Sequence, residues 1–148
     1  MYSPAESPWS IDTSILINAT AVDLPQTRRS IALGLMERLF RSENGRLAGH
    51  TLGEYLHTVL HQGAMAPAVA LEAVKTWSLS ARVMDASAQA HENAWDLAAT
   101  CQYPVWRALT IATCAEHGVK TLFCDNTGVL KRPLGVQLIN PFAEPELP

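Results

Sequence analysis

The sequence contains few cysteines, no long apolar run and no excess of positive charge. Its three cysteines, Cys101, Cys114 and Cys124, are isolated and have no metal-binding spacing. A disulfide framework and a cysteine-based zinc site are therefore excluded, and a reduced intracellular compartment is expected. No apolar segment approaches the ~20 residues that a membrane span requires, and residues 1–10 carry Glu6 and two prolines rather than a secretory signal. We expect a cytoplasmic protein without a membrane partner.

Positive charge is also scarce. The 11 Lys and Arg residues and the 14 Asp and Glu residues give a formal net charge of −3, and the sequence pI is about 5.9. This balance excludes a protein that holds DNA or RNA by a broad basic surface. The pairs Arg28-Arg29 and Lys131-Arg132 could attract a phosphate backbone, although such pairs are more often a solvated face. Any contact with nucleic acid is therefore local.

The chain does have enough apolar sequence for one domain, because 48% of its residues are hydrophobic. We place this domain at residues 10–142, between proline-rich tails at 1–9 and 143–148. Apolar periodicity and breakers predict strands at 10–17, 46–49, 81–84, 121–124 and 136–139, and helices around 31–40, 51–63, 67–77, 87–100 and 104–118. Strands that alternate with helices predict an α/β fold of three layers, with a central, mostly parallel sheet covered by helices on both faces.

Polar or charged residues interrupt the packing pattern at four places: Asp12, Glu54, Arg107 and the pair Asp125-Asn126. Functional sites of parallel sheets form at the carboxyl ends of the strands. Carboxylates that the fold brings together there form an oxygen-lined site for Mg²⁺ or Mn²⁺. A cation held in this way clamps a phosphodiester and activates water. An acidic protein can then act on RNA, because the metal screens the carboxylates from the phosphate.

Each carboxylate also has a purely structural explanation. Thr51-x-x-Glu54 has the spacing of a capping box, in which the glutamate bonds the start of its own helix. A buried unpaired carboxylate is costly, so Asp12 needs a partner, but a paired aspartate needs no function. Asp125-Asn126 follows a predicted strand and precedes Gly128, which is ordinary turn chemistry.

Two histidines stand near Glu54. His57 and His61 lie four residues apart on the same predicted helix, which is a spacing that two zinc ligands can have. The metalloprotease form of that motif needs glutamate directly after the first histidine, and Thr58 stands there instead. A surface or groove position is the better interpretation of this pair.

Arg107 is the only charged residue from Pro104 to Ala115, in a helix that is apolar on nearly every face. Because a buried charge without a partner is costly, we expect a carboxylate beside its guanidinium. A planar, permanently charged fork could hold Asp12 or Glu54 in bidentate fashion and lie where a cation would otherwise bind. The alternative is an arginine that extends from the helix edge into solvent.

A family resemblance rests on five segments in order. They are Ile11-Asp12-Thr13-Ser14-Ile15-Leu16, Thr51-Leu52-Gly53-Glu54-Tyr55, Val105-Trp106-Arg107-Ala108-Leu109, Thr121-Leu122-Phe123-Cys124-Asp125-Asn126, and Gly135-Val136 with Asn140-Pro141-Phe142. Together they resemble the PIN domain, the nuclease fold of the VapC-type toxins of bacterial toxin–antitoxin systems. The resemblance covers nearly the whole chain.

The resemblance implies an active site in which four acidic residues hold one or two Mg²⁺ or Mn²⁺ ions. Water activated by the metal would then hydrolyse RNA. Asp12 and Glu54 match the first two positions, and Arg107 stands at the third. Asn126 aligns with the fourth and Asp125 lies one residue earlier, so that a shift by one makes Asp125 the ligand.

Other residues receive lesser roles from the same resemblance. Thr13 and Ser14, which follow Asp12, and Arg107 and Asn126 are candidates for substrate contact or for modulation of the site. Asp96 is not a ligand, because it lies in the preceding helix. A four-carboxylate site would carry −4, whereas Asp12, Glu54, Asp125 and Arg107 together carry −2.

Two functions follow from this reasoning. The first is a metal-dependent endoribonuclease of the VapC type, with Asp12, Glu54 and Asp125 as catalytic metal ligands. The second is a catalytically silent PIN-fold module that binds RNA or protein, because Arg107 and Asn126 replace expected carboxylates. The resemblance also implies a homodimer and a cognate antitoxin protein.

Overall fold

The structure, a computed structural model, describes residues 7–143. Most of both predicted tails, 1–9 and 143–148, lies outside these residues. Five strands, six α-helices and one short 3₁₀ helix form this part of the chain. In chain order they are β1 Trp9–Ile11, α1 Thr13–Thr20, α2 Gln26–Arg41, β2 Gly45–Ala48, α3 Gly49–His61, α4 Pro67–Ser80, β3 Val83–Met84, α5 Ala88–Cys101, α6 Val105–Glu116, β4 Thr121–Phe123, the 3₁₀ helix Pro133–Gly135 and β5 Gln137–Ile139.

The five strands form one parallel sheet in the order β3-β2-β1-β4-β5. The central strand β1 pairs with both β2 and β4, so that Trp9 lies opposite Gly45 on one side and Thr121 on the other. The carboxyl ends of β1 and β4 are therefore neighbours at one edge of the sheet. This edge is where the sequence predicts a site.

Each face of the sheet covers a separate hydrophobic core, because successive side chains of a strand point to opposite faces. Ile11, Leu47 and Phe123 pack with residues of α1, α2, α3 and α4 on one face. Ala48 and Leu122 pack with residues of α5 and α6 on the other. The predicted three-layer α/β fold, with helices on both faces of a parallel sheet, is confirmed.

The strand predicted over residues 10–17 is wrong beyond Ile11, because the chain turns there into α1. Asp12 makes this turn, since its Oδ1 accepts a hydrogen bond from the backbone N–H of Thr13 at 2.7 Å and caps the helix. Ile15 and Leu16 are fully buried in the core. Their burial outweighs the weak preference of β-branched residues for strands.

The remaining elements lie close to their predicted positions. Ser87 caps α5, Pro67 begins α4, and Gly118 follows α6 with a left-handed φ of 72°. The predicted start of α3 at Thr51 is two residues late, because the helix begins at Gly49. Within residues 7–143 no helix combines the length and the apolar character needed to cross a membrane.

Gly128, in the loop after β4, is the most constrained glycine near the sheet edge. Its φ is 70°, and a Cβ there would lie 2.5 Å from the ring of the buried Tyr103. The Tyr103 hydroxyl donates to the carbonyl of Thr127 at 3.1 Å and accepts from the N–H of Leu130 at 3.3 Å. The loop is therefore fastened on both sides of this glycine.

We expect Gly128→Ala to destabilise the protein more than Gly118→Ala. Both glycines have a positive φ, which costs an L-residue about 1–2 kcal/mol, but a Cβ on Gly118 meets nothing within 4 Å. The difference between the two variants therefore isolates the clash with Tyr103. Urea denaturation measures both free energies of unfolding, and equal losses would contradict the predicted clash.

Candidate functional site

Four charged side chains meet at the carboxyl edge of the sheet. Asp12 directly follows β1 and Asp125 comes two residues after β4, while α3 supplies Glu54 and α6 supplies Arg107. They line one cavity of about 300 Å³, to which Thr13 and Ser14 also contribute. The fold thus brings together residues that are up to 113 positions apart, from Asp12 to Asp125.

Arg107 lies between the carboxylates and bonds two of them. Its Nε and Nη2 atoms are 2.8 and 2.7 Å from Oδ2 of Asp12, and Nη2 is 2.9 Å from Oδ1 of Asp125. Its Nη1 donates to the backbone carbonyl of Asn126 at 3.1 Å. The side chain is only 14% exposed, so it turns inward and does not extend into solvent.

This ion pair is enclosed by protein. Asp12 is 2% exposed, and its other oxygen caps α1. Burial alone would lower the pKa of Arg107, but the charge and the hydrogen bond of Asp12, together with smaller contributions from Cys124 and Asp125, raise it. The guanidinium is therefore permanently charged and held by its carboxylate partners.

Glu54 is not a direct partner of Arg107, contrary to one of the two pairings expected from the sequence. Its Oε1 accepts a hydrogen bond from the hydroxyl of Thr13 at 2.6 Å. The capping-box interpretation is also wrong, because Thr51 is buried inside α3 and Ala48 is the N-cap residue. Glu54 therefore turns away from its own helix start and into the site.

The pKa of Glu54 is raised above its ordinary value. Desolvation by burial is the main cause, and the negative charge of Asp12 adds to it. The hydrogen bond from Thr13 and the charge of Arg107 act in the opposite direction without cancelling the rise. The fold therefore opposes ionisation of Glu54.

Ser14 connects the two aspartates. Its hydroxyl donates to Oδ2 of Asp12 at 3.4 Å, and its oxygen accepts from the backbone N–H of Asp125 at 3.1 Å. Thr13 and Ser14 therefore hold site residues in place.

The sequence did not single out Asn140 as a site residue, yet its Nδ2 donates to the carbonyl of Asp125 at 2.9 Å. The sequence signal that could have identified this residue was Asn140-Pro141, part of the last segment that resembles the PIN domain.

Asp125 and Asn126 take different positions. The Asp125 carboxylate faces the cavity, whereas the Asn126 side chain accepts from the N–H of Gly128 at 3.0 Å and shapes the loop. Only the backbone carbonyl of Asn126 contacts Arg107. The alignment that makes Asp125 the site carboxylate agrees with this geometry.

Solved structures show what this arrangement of elements resembles, whereas no family model and no curated protein matches the sequence. VapC20 of Mycobacterium tuberculosis, a Sarcin-Ricin loop cleaving toxin, has 23% identity and a TM-score of 0.58 over 77% of this chain and 86% of its own. A toxin–antitoxin complex from Klebsiella pneumoniae has 16% identity and a TM-score of 0.61 over 90% and 97%.

A third structure is VapBC2 from Rickettsia felis bound to a DNA fragment from the promoter, with 15% identity and a TM-score of 0.64 over 89% of this chain and 97% of that chain. The chain has the PIN fold of the VapC toxins. Identities of this size establish the fold, and the chemistry of the site is argued from its own residues.

The VapC-type PIN fold implies a divalent cation, but the donor set observed here does not fit one. Mg²⁺ needs carboxylate oxygens at about 2.0–2.1 Å in octahedral geometry, and Arg107 nitrogens already lie within 3 Å of Asp12 Oδ2 and Asp125 Oδ1. Among residues 7–143, no three His, Cys, Asp or Glu side chains are placed to hold a metal ion. The two aspartates are instead neutralised in part by Arg107.

We expect Arg107→Leu to lower the free energy of unfolding by about 3–5 kcal/mol, because it leaves the buried Asp12 without its charge partner. The double variant Asp12→Asn/Arg107→Leu should recover at least about 1 kcal/mol of this loss. Urea denaturation at neutral pH measures both.

Arg41→Leu is the matched control, because the ion pair of Arg41 with Glu37 is 77% and 60% exposed. Its loss should stay within about 0.5 kcal/mol. A similar loss for Arg107→Leu and Arg41→Leu would contradict the buried ion pair.

We expect Glu54→Gln to stabilise the protein at neutral pH. The folded state raises the pKa of Glu54 above its ordinary value of 4.5, so it binds more protons than the unfolded state between the two pKa values. Stability from this group is present below pH 4.5 and is lost as pH rises through the folded pKa. The gain of the variant should therefore grow with pH from about 4.5 and be smallest below it.

The measurement is a urea denaturation series from pH 3.5 to 8, with the exposed Glu72→Gln as control. A pH-independent difference between Glu54→Gln and the wild type would show that the raised pKa of Glu54 has no effect on stability.

Proposed function

We propose that this chain is a VapC-type member of a toxin–antitoxin pair, directed at RNA, in which Arg107 takes the place of the metal cation. The observation that carries the proposal is the ion pair of Arg107 with Asp12 and Asp125, at 2.7 and 2.9 Å. In this state the protein is a silent or strongly weakened endoribonuclease. It acts by binding.

Charge restricts how RNA can approach this acidic site. Three carboxylates alone would repel a phosphodiester, and a metal ion normally screens them. Arg107 supplies one positive charge at that position and lowers this repulsion, but its planar fork is engaged by Asp12, Asp125 and the backbone carbonyl of Asn126. The remaining charge of the site is −2, so the RNA backbone must pass beside the acidic cluster or be screened by a further cationic group.

The proposed partners follow from the fold. The Klebsiella pneumoniae structure is a toxin–antitoxin complex, and the Rickettsia felis structure is a toxin–antitoxin pair on promoter DNA. We propose a cognate antitoxin protein and a homodimer for this chain by the same likeness. An antitoxin-like reading frame beside the gene would support the first of these.

A second candidate is the metal-dependent endoribonuclease itself. One observation favours it: Asp12, Glu54 and Asp125 still line a single cavity of about 300 Å³. Glu54 is bonded to Thr13 and not to Arg107, so one carboxylate is outside the ion-pair network. This candidate requires Arg107 to leave both aspartates.

Cleavage of a structured RNA with Mn²⁺ separates the two candidates. We expect little or no cleavage by the wild type and a gain of at least about tenfold, or 1.4 kcal/mol of barrier, with Arg107→Asp. Adding Asn126→Asp restores the other missing carboxylate in case one substitution is insufficient. Asp12→Asn on top of Arg107→Asp should abolish the gain.

Arg41→Asp is the charge-matched control, because Arg41 lies on the exposed surface of α2, and circular dichroism checks that each variant folds. Cleavage by the wild type that Asp12→Asn abolishes would establish the nuclease and overturn the silent form. Micromolar Mn²⁺ binding to the wild type in calorimetry, lost in Asp12→Ala, would do the same.

A further inference from the structure

A second cavity lies beside the acidic site, between α3 and α6. It has a volume of about 360 Å³ and is lined by His50, Gly53, Glu54, His57 and Trp106. Small-molecule sites have volumes of about 300–1,000 Å³, so this cavity is large enough for a small planar ligand. Trp106 is 53% exposed, so part of its aromatic surface is available for contact with a ligand.

His50 forms a fixed wall of this cavity. The hydroxyl of Thr110 donates to the carbonyl of Trp106 at 3.0 Å, so its oxygen accepts a hydrogen bond from Nε2 of His50 at 2.8 Å. This assigns the proton of the neutral imidazole to Nε2. Burial lowers the pKa of His50 to about 4, with a contribution from His91. The ring is therefore uncharged at neutral pH.

The aromatic rings of this cavity are aligned. The rings of His50 and Trp106 are 26° from parallel, with centroids 6.4 Å apart. The hydrogen bond from His50 to Thr110 keeps one ring in place, and the exposed face of the other is free for a planar group to stack on. The exposed indole and the neutral ring of His50 favour an aromatic ligand, and the carboxyl of Glu54 in the same cavity disfavours an anionic one.

The second cavity adjoins the acidic site, because Glu54 lines both. Trp106 also directly precedes Arg107 in α6. A nucleotide bound at the rim of the acidic site therefore has this cavity within reach of its base. Adjacency to the site, together with the concave shape and small volume, favours a nucleobase over a second protein chain as the occupant.

We propose that the cavity at Trp106 is a subsite for an unpaired nucleobase of single-stranded RNA, with the base stacked on the indole. The proposal rests on the RNA-directed function above and names the part of the RNA that is recognised. Base–aromatic stacking contributes to affinity with little dependence on sequence. Trp106 is therefore a binding residue that sequence reasoning did not single out.

Gly53 offers a way to block the subsite without removing a contact. A Cβ at Gly53 meets nothing within 4 Å, and glycine is unfavourable inside a helix, so Gly53→Leu fills the cavity without a clash at its Cβ. Gly34, in α2, has the same open surroundings and does not line the cavity. Gly34→Leu is the matched control.

The experiment measures binding of a fluorescently labelled, unstructured decaribonucleotide by anisotropy, in EDTA so that cleavage is absent. We expect Trp106→Ala and Gly53→Leu to raise the Kd by about 5- to 100-fold, as loss of one stacked base predicts. Gly34→Leu should leave the Kd within about twofold. An oligonucleotide with abasic ribose at every position should bind wild type and Trp106→Ala equally weakly.

Three results would overturn the subsite. Unchanged RNA affinity in both cavity variants would refute it while leaving the RNA-directed function standing. Absence of RNA binding by the wild type would refute both. A change of oligomeric state in Trp106→Ala and Gly53→Leu by sedimentation, with unchanged RNA affinity, would assign the cavity to contact between two copies of the chain.

Discussion

The ion pair between Arg107 and Asp12 is the interaction on which the site depends. Asp12 uses one oxygen to cap α1 and the other to hold the guanidinium. The same carboxylate therefore ends the central strand, begins the first helix and anchors α6. A buried charge of this kind is costly without its partner, so the position of Arg107 is a requirement of the fold as well as a feature of the site.

The pair also determines how charge is distributed in the acidic site. Arg107 neutralises the two aspartates at the ends of β1 and β4, and Glu54 is left to the Thr13 hydroxyl. A side chain differs from a metal ion in that it brings one charge, lacks a free coordination position and cannot activate water. A retained fold with an altered chemistry, as proposed for this chain, is what the separation of fold from function allows.

Sequence reasoning identified the helix ends, which depend on local residue patterns, and the charged residue that conflicts with an apolar pattern. Ser87, Pro67 and Gly118 marked helix ends correctly, and Arg107 stood out because a charge in an apolar helix needs a partner. It failed at residues 13–17, because a short β-branched run does not distinguish a buried strand from a buried helix. The contacts of Glu54 and Asn126 were also beyond it, since both depend on residues brought close only by the tertiary fold.

The start of α6 explains why two cavities meet at this place. Pro104 precedes the helix and fixes its first turn at the carboxyl edge of the sheet. Consecutive residues of a helix point about 100° apart, so Trp106 and Arg107 face different cavities although they lie in the same turn of α6. Glu54 separates these cavities from the side of α3. The ion pair of Arg107 and the exposed ring of Trp106 therefore lie in neighbouring cavities, so that the proposed loss of metal chemistry and the proposed recognition of RNA depend on different side chains.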